Sequence, residues 1–254
     1  MPDNYYFGYY FYAPNGRFEP CGMFTFPHIV TAIFCVIGVV IALCFTKNYF
    51  KGEQRKKLLR CSALTLTILE AAKITHCFIH DNLYLDAWFP LSYCSLFIIA
   101  LWISGYCKTP LKYFAEAFIS FGCPFAGIAF LVFPTTSLMS YPIWHFFSLY
   151  SMIYHSLMLF IGITLLRQEA NFTFQKYKNY CIFVMPFSVV AISLNAIFGS
   201  NLMNLREPYN IPIQFLQNLY INMPQVFTLF VLICYLAIPF IVAFLGNKLE
   251  KSIK

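Results

Sequence analysis

Cys94 and His155 are the residues of this sequence best suited to chemistry: a thiol that is a nucleophile as thiolate, and an imidazole able to take its proton. Both fall inside apolar stretches long enough to cross a bilayer, where an ionisable side chain is expensive and is read by default as functional. If the two face one another, acyl transfer needs no further reactive group. A second set occupies one stretch: Glu70, Lys73, His76 and His80 are spaced by three, three and four residues. On a helix that spacing keeps all four within roughly 120° of one face. Glu70 and Lys73 either neutralise one another there or line a wet cavity. His76 and His80 suit a metal, but two imidazoles are an incomplete ligand set. Ser148, Ser151 and His155 form another polar stripe at i, i+3 and i+7, and Asn195 and Asn201 follow in the sixth span and just beyond it.

The elements that must position these groups are membrane helices. Of 254 residues, 60% are hydrophobic and 11% charged, far from a soluble average. Seven stretches reach the roughly 17 to 25 residues that a crossing needs. They run 23–46, 58–80, 88–106, 111–133, 142–166, 178–200 and 220–246. The fold class expected is therefore all-α, a polytopic membrane bundle of seven transmembrane helices. It comprises an outer interfacial segment over 1–22, the transmembrane domain over 23–246 and a basic tail over 247–254.

Lysine and arginine set the orientation. Lys47, Lys51, Arg55, Lys56, Lys57 and Arg60 crowd the first joint, Lys108 and Lys112 the third, Arg167, Lys176 and Lys178 the fifth, and Lys248, Lys251 and Lys254 the tail. Only Arg17 and Arg206 fall on the other side. The positive-inside rule then puts the N-terminus outside and the C-terminus in the cytoplasm of a cell-membrane protein. The formal charge of +7 reads as topology and anionic-lipid contact, not as a nucleic-acid surface, because no basic stripe interleaves with stacking aromatics.

Under that orientation Cys94 lies about 9 Å and His155 about 20 Å below their outer starts, so tilt or a bend at Pro90 must bring them level. His28 and His145 fall near interfaces, where an imidazole is cheap. The first 22 residues carry an aromatic cluster, Tyr5, Tyr6, Phe7, Tyr9, Tyr10, Phe11 and Tyr12, suited to the headgroup layer. The ten cysteines show no Cys-x-x-Cys pattern, and most read as small core residues.

Four motifs carry a resemblance: Leu69-Glu70-Ala71-Ala72-Lys73, Phe89-Pro90-Leu91-Ser92-Tyr93-Cys94, Tyr154-His155-Ser156, and the run from Asn195 through Gly199-Ser200-Asn201 to Met203. In that order the chain resembles bacterial YwaF-like integral membrane proteins over nearly its whole length. That group is similar to the transmembrane protein 164 acyltransferases, which look like relatives of androgen-induced-gene-type lipid hydrolases. The resemblance implies a multipass enzyme that moves or releases a fatty acyl group through a Cys-His or Thr-His pair. The bacterial pattern has histidine two places before the cysteine, where this chain has Ser92.

The function expected is a lipid acyltransferase or acyl hydrolase facing the outer leaflet, with Cys94 as nucleophile and His155 as base. Asn195, Asn201 or backbone N–H groups would hold the oxyanion, and Glu70, Lys73, His76 and Ser151 would support the cavity. Its partners are membrane lipids and an acyl-lipid substrate, with no cofactor, no resident metal and no nucleic acid; no oligomeric state follows. A proton-coupled transporter or receptor using Glu70, Lys73 and His76 stays open. So do a zinc-dependent lipid hydrolase built on His76, His80 and a third histidine, and a non-catalytic scaffold.

Overall fold

The structure is a computed structural model that describes residues 7–47, 49–168 and 173–253; for Phe7, 242–243 and 246–253 it describes the backbone alone. Tyr5, Tyr6 and Lys254, and the side chains of Lys248 and Lys251, therefore lie outside the described residues. The described chain is helical: α1 Phe7–Phe11, α2 Phe26–Phe45, α3 Gly52–Ile79, α4 Leu85–Trp88, α5 Leu96–Tyr106, α6 Leu111–Ala117, α7 Cys123–Val132, α8 Phe146–Gln168, α9 Phe174–Phe198, α10 Gln214–Asn222 and α11 Pro224–Ile253. A single wide π-helical turn, Phe118–Gly122, joins α6 to α7.

Six helical segments are long and apolar enough to cross a membrane: α2, α3, the continuous α6–α7 unit, α8, α9 and α11 as far as Ile241. The seventh apolar helix, α5, has only 11 residues. This is a multi-pass membrane protein in which six full helices accompany one short one. Large apolar side chains such as Ile33, Phe34 and Phe45 on α2 and Ile197 and Phe198 on α9 are exposed, as lipid-facing surfaces require.

The core lies where α6–α7 meets α8, around Phe118, Ile119, Met158, Ile161 and Leu165. Glycine permits that approach. A Cβ on Gly127 of α7 would sit 2.9 Å from the His155 carbonyl oxygen on α8. Without a hydrophobic force between helices in lipid, such close backbone packing is what holds a bundle together.

Several helices start away from their hydropathy boundaries, α3 at Gly52 in place of 58 and α8 at Phe146 in place of 142 among them, and in the third and last spans proline sets the start. The third begins as a helix only at Leu96, although the apolar run starts at 88. Pro90 cannot donate to a preceding turn and pushes Phe89 to extended angles (φ −78°, ψ 122°). Pro90 therefore ends local helicity instead of bending a helix, and residues 89–95 run irregularly. In the last span Pro224 opens α11, a position that suits its missing N–H, and Met223 before it leaves helical angles (φ −146°, ψ 69°). The stretch from 220 is thereby split between α10 and α11.

At the end of the bundle that carries the basic joints, side chains close off main-chain carbonyls. Arg60 Nε donates to the Gly105 carbonyl in the last turn of α5 at 2.7 Å and its guanidinium lies over the Tyr106 ring. Arg55 pairs with the buried Glu116 at 2.6 Å. At the opposite end the N-terminal segment tucks Ala13 inside the helix ends, where it is 2% exposed. Cys21 and Gly22 continue across that end by donating to Tyr141 and Leu138 carbonyls.

Candidate active site

Helix α8 presents two chemically different faces to the bundle. Phe146, Tyr150 and Tyr154, at i, i+4 and i+8, stack down one of them, with ring centroids 6.0 and 5.5 Å apart. The Tyr150 hydroxyl donates to Glu70 Oε2 at 2.5 Å, and Lys73 Nζ stands 2.5 Å from Glu70 Oε1. A carboxylate that survives in an apolar bundle needs such partners, and here an ammonium and a phenol share it. One turn further on, the Tyr154 hydroxyl donates to the Cys94 carbonyl at 2.8 Å.

Cys94 belongs to the irregular segment and lies two residues before α5, at the positive end of that helix's dipole. α5 spans only about 16 Å at 1.5 Å per residue, so the cysteine is set deep in the bundle. Non-helical backbone at such depth is tolerated where it is buried in protein or lines a polar cavity. Ser92 is exposed in this segment, and its hydroxyl pairs with that of Ser95 at 2.8 Å. The main-chain N–H groups of Tyr93 and Cys94 donate to no acceptor among the described residues. Tyr150, Tyr154, Tyr235 and Cys123 are among the ionisable groups around Cys94.

His155, one residue after Tyr154, turns to α7. Its ring stacks on Phe130 with centroids 3.7 Å apart and planes 7° from parallel. Nδ1 lies 2.7 Å from the Ser151 carbonyl, so Nδ1 carries the hydrogen and Nε2 the lone pair. That Nε2, like Nδ1 of His76, is buried and has no hydrogen-bond partner among the described residues. A neutral imidazole with its tautomer fixed from behind and its basic nitrogen unspent is the state a general base needs. No hydrogen bond joins Cys94 to His155 among the described residues. Tyr154 touches both, its ring centroid 5.2 Å from that of His155.

The other histidines are committed to carbonyl groups. His76 Nε2 and His145 Nε2 both lie 3.0 Å from the Ala13 oxygen, and His80 Nε2 lies 3.3 Å from that of Tyr12. Phe147 N–H donates to His145 Nδ1, so Nε2 must carry the hydrogen that reaches Ala13. Burial pushes His145, in the loop before α8, down to about 4, and the neighbouring His76 and His80 act in the same direction against the Ala13 bond. It is neutral at pH 7. His28 Nε2 stands 3.0 Å from the Leu131 oxygen. His76 and His80 rings are 4.4 Å apart, but no group of three His, Cys, Asp or Glu able to hold a metal gathers among the described residues.

Asn195 and Asn201 organise the loop after α9. Asn195 Oδ1 accepts from Ser200 Oγ and Leu202 N, and its Nδ2 donates to the Leu202 carbonyl. Asn201 Oδ1 accepts from the Arg206 and Glu207 main chains, while its Nδ2 donates to Glu207. Ser151 contributes its carbonyl to His155, and Ser148 Oγ reaches toward Tyr141. The residues that sequence reasoning missed are the tyrosines. Besides Tyr150 and Tyr154, Tyr93 and Tyr180 share a 2.9 Å hydrogen bond, and Tyr93 stacks on Tyr235 beside Cys94. Their signal was the i, i+4 spacing of Phe146, Tyr150 and Tyr154 opposite Glu70.

Comparison with known proteins agrees with this architecture: the sequence model of the TMEM164 family matches residues 23–243, from just before α2 into α11. No curated protein matches the chain, and no solved structure does.

Proposed function

The chain belongs to the TMEM164 family, and from that premise and the geometry above we propose that it is an intramembrane lipid acyltransferase with Cys94 as nucleophile and His155 as base. The observation that carries this reading is the buried, unpartnered Nε2 of His155, held as an acceptor by the Ser151 carbonyl. An orphaned polar atom in an apolar bundle costs about 1–3 kcal/mol and calls for a use.

In the first half-reaction Cys94 gives its proton to His155 Nε2, through one water where the two do not touch, and its sulfur attacks a lipid ester carbonyl. The C–O bond breaks, the alcohol of the donor leaves with the proton from His155, and an acyl thioester remains on Cys94. In the second, a lipid alcohol gives its proton to His155 and its oxygen displaces the sulfur. Water in place of that alcohol yields a free fatty acid. The unspent N–H groups of Tyr93 and Cys94 are the donors for the oxyanion, a role that the engaged amides of Asn195 and Asn201 are less free to fill. The lipid enters sideways at the irregular segment, where Ser92 is exposed.

A phospholipid bearing an alkyne-tagged acyl chain should leave a hydroxylamine-sensitive label that peptide mass spectrometry maps to Cys94. A label on Cys123 instead, or none during turnover, would remove Cys94 from the mechanism.

The charge of the joints supports an N-terminus outside and a C-terminus in the cytoplasm of a cell membrane. A cysteine substituted for Lys56 should then react with an impermeant maleimide only after the cells are permeabilised. Labelling in intact cells would reverse the orientation, and with it the leaflet that Cys94 serves.

A further inference from the structure

We infer that the N-terminal segment Phe7–Phe18 is a plug that keeps water from the Cys94 thioester and so sets transfer above hydrolysis. This rests on the reading of Cys94 as nucleophile. The thioester has two fates: a lipid alcohol gives a new ester and the free thiol, whereas water gives a fatty acid and the free thiol. Water is so concentrated that transfer prevails only where the site excludes it.

The segment stands where such exclusion is needed. The Tyr12 hydroxyl donates to the Ala72 carbonyl at 2.8 Å, one residue before Lys73, and its ring packs edge-on to His76. Tyr12 and Phe11 both contact Phe146, the top of the ladder that descends through Tyr150 to Tyr154 and the Cys94 carbonyl. From Phe146 to Tyr154 is about 12 Å along α8, at 1.5 Å per residue. The segment therefore caps the end of α8 from which this ladder descends toward Cys94, while the lateral entrance at Ser92 is on another element.

Three histidines latch its main chain. It has only a five-residue helix of its own. The Ala13 carbonyl is gripped by His76 and His145 together, and the Tyr12 carbonyl by His80. Losing one hydrogen bond raises the open population of a locally opening segment about fivefold.

The test compares the parent with His145→Phe, which fills the site without a donor for Ala13, and His145→Gln, whose amide restores that donor. Each is given a labelled diacyl phospholipid and a lysophospholipid acceptor in micelles, and the ratio of free fatty acid to transferred product is measured. His145→Phe should raise the ratio about fivefold and His145→Gln should return it toward the parent value. In parallel, the rate at which a water-soluble maleimide modifies Cys94, read by peptide mass spectrometry against Cys123, should rise by a similar factor in His145→Phe. A ratio that stays constant while both products fall together would overturn the plug. If the parent forms no thioester on Cys94, the proposed function fails on its own, and the maleimide rate still decides the plug: faster modification supports the cover over Cys94, and an unchanged rate overturns it.

Discussion

Cys94→Ala should lower lipid acyl transfer by at least about a hundredfold while leaving the yield of folded protein near that of the parent, because a nucleophile contributes to the reacting bond and little to packing. Cys94 is only half-buried, and the contact that fixes its segment is made by its carbonyl, which survives the substitution. His155→Asn should cost as much. The asparagine amide can still donate to the Ser151 carbonyl, as Nδ1 does now, but nothing replaces the lone pair of Nε2. The double variant should be no slower than either single one, since residues that act as one unit do not add. A labelled-lipid transfer assay on purified protein measures all three. Full activity in Cys94→Ala would remove the thiol mechanism and turn attention to an oxygen nucleophile such as the neighbouring Ser92. Additive losses in the double variant would mean that Cys94 and His155 serve separate steps.

Hydropathy locates the long helices because their outward surfaces face lipid, and residues such as Ile33, Phe34 and Ile197 carry that information directly. It misplaces the start of the third span because Phe89 and Leu91 are apolar without being helical; only Pro90 marked the change from helix to irregular backbone. His155 was legible as a candidate from cost alone, since an imidazole at membrane depth stands out against an apolar background, whereas Cys94 is one of ten cysteines and residue type alone does not single it out. Their surroundings were not. Tyr150 and Tyr154 precede His155 by five residues and one, yet on the helix they turn to Glu70 and Cys94 while His155 turns to Phe130. Asn195 and Asn201 suggested an oxyanion hole by residue type; they stand on either side of Gly199, and their side-chain amides bind the main chain of the loop that follows α9. The N-terminal segment was the hardest part to read. Its binding groups are the carbonyls of Tyr12 and Ala13, and a main-chain carbonyl has no signature in a sequence.

Glu70→Ala should destabilise the folded protein by about 3–5 kcal/mol, the range for removing one member of a buried charge pair. The Glu70 side chain is 8% exposed and that of Lys73 is 18% exposed, so the ammonium left behind has little water to turn to. Two donors lose their acceptor together, because the Tyr150 hydroxyl also ends on this carboxylate. The double change of Glu70→Gln with Lys73→Met should recover more than half of that loss. It removes both charges and leaves the glutamine oxygen to accept from Tyr150, and replacing a buried ion pair by neutral groups of similar volume is often harmless. Thermal aggregation midpoints and folded yield in detergent measure the change, with transfer activity assayed on whatever folds. A single variant that keeps its yield but loses transfer would place Glu70 in the reaction, through Tyr150 and Tyr154 toward Cys94. A double variant no better than the single would show that the unpaired Lys73 ammonium is not what destabilises Glu70→Ala. A carboxylate shared by an ammonium and a phenol is stable only while both donors stay in place, so the α3 polar stripe and the α8 ladder should be lost or recovered together.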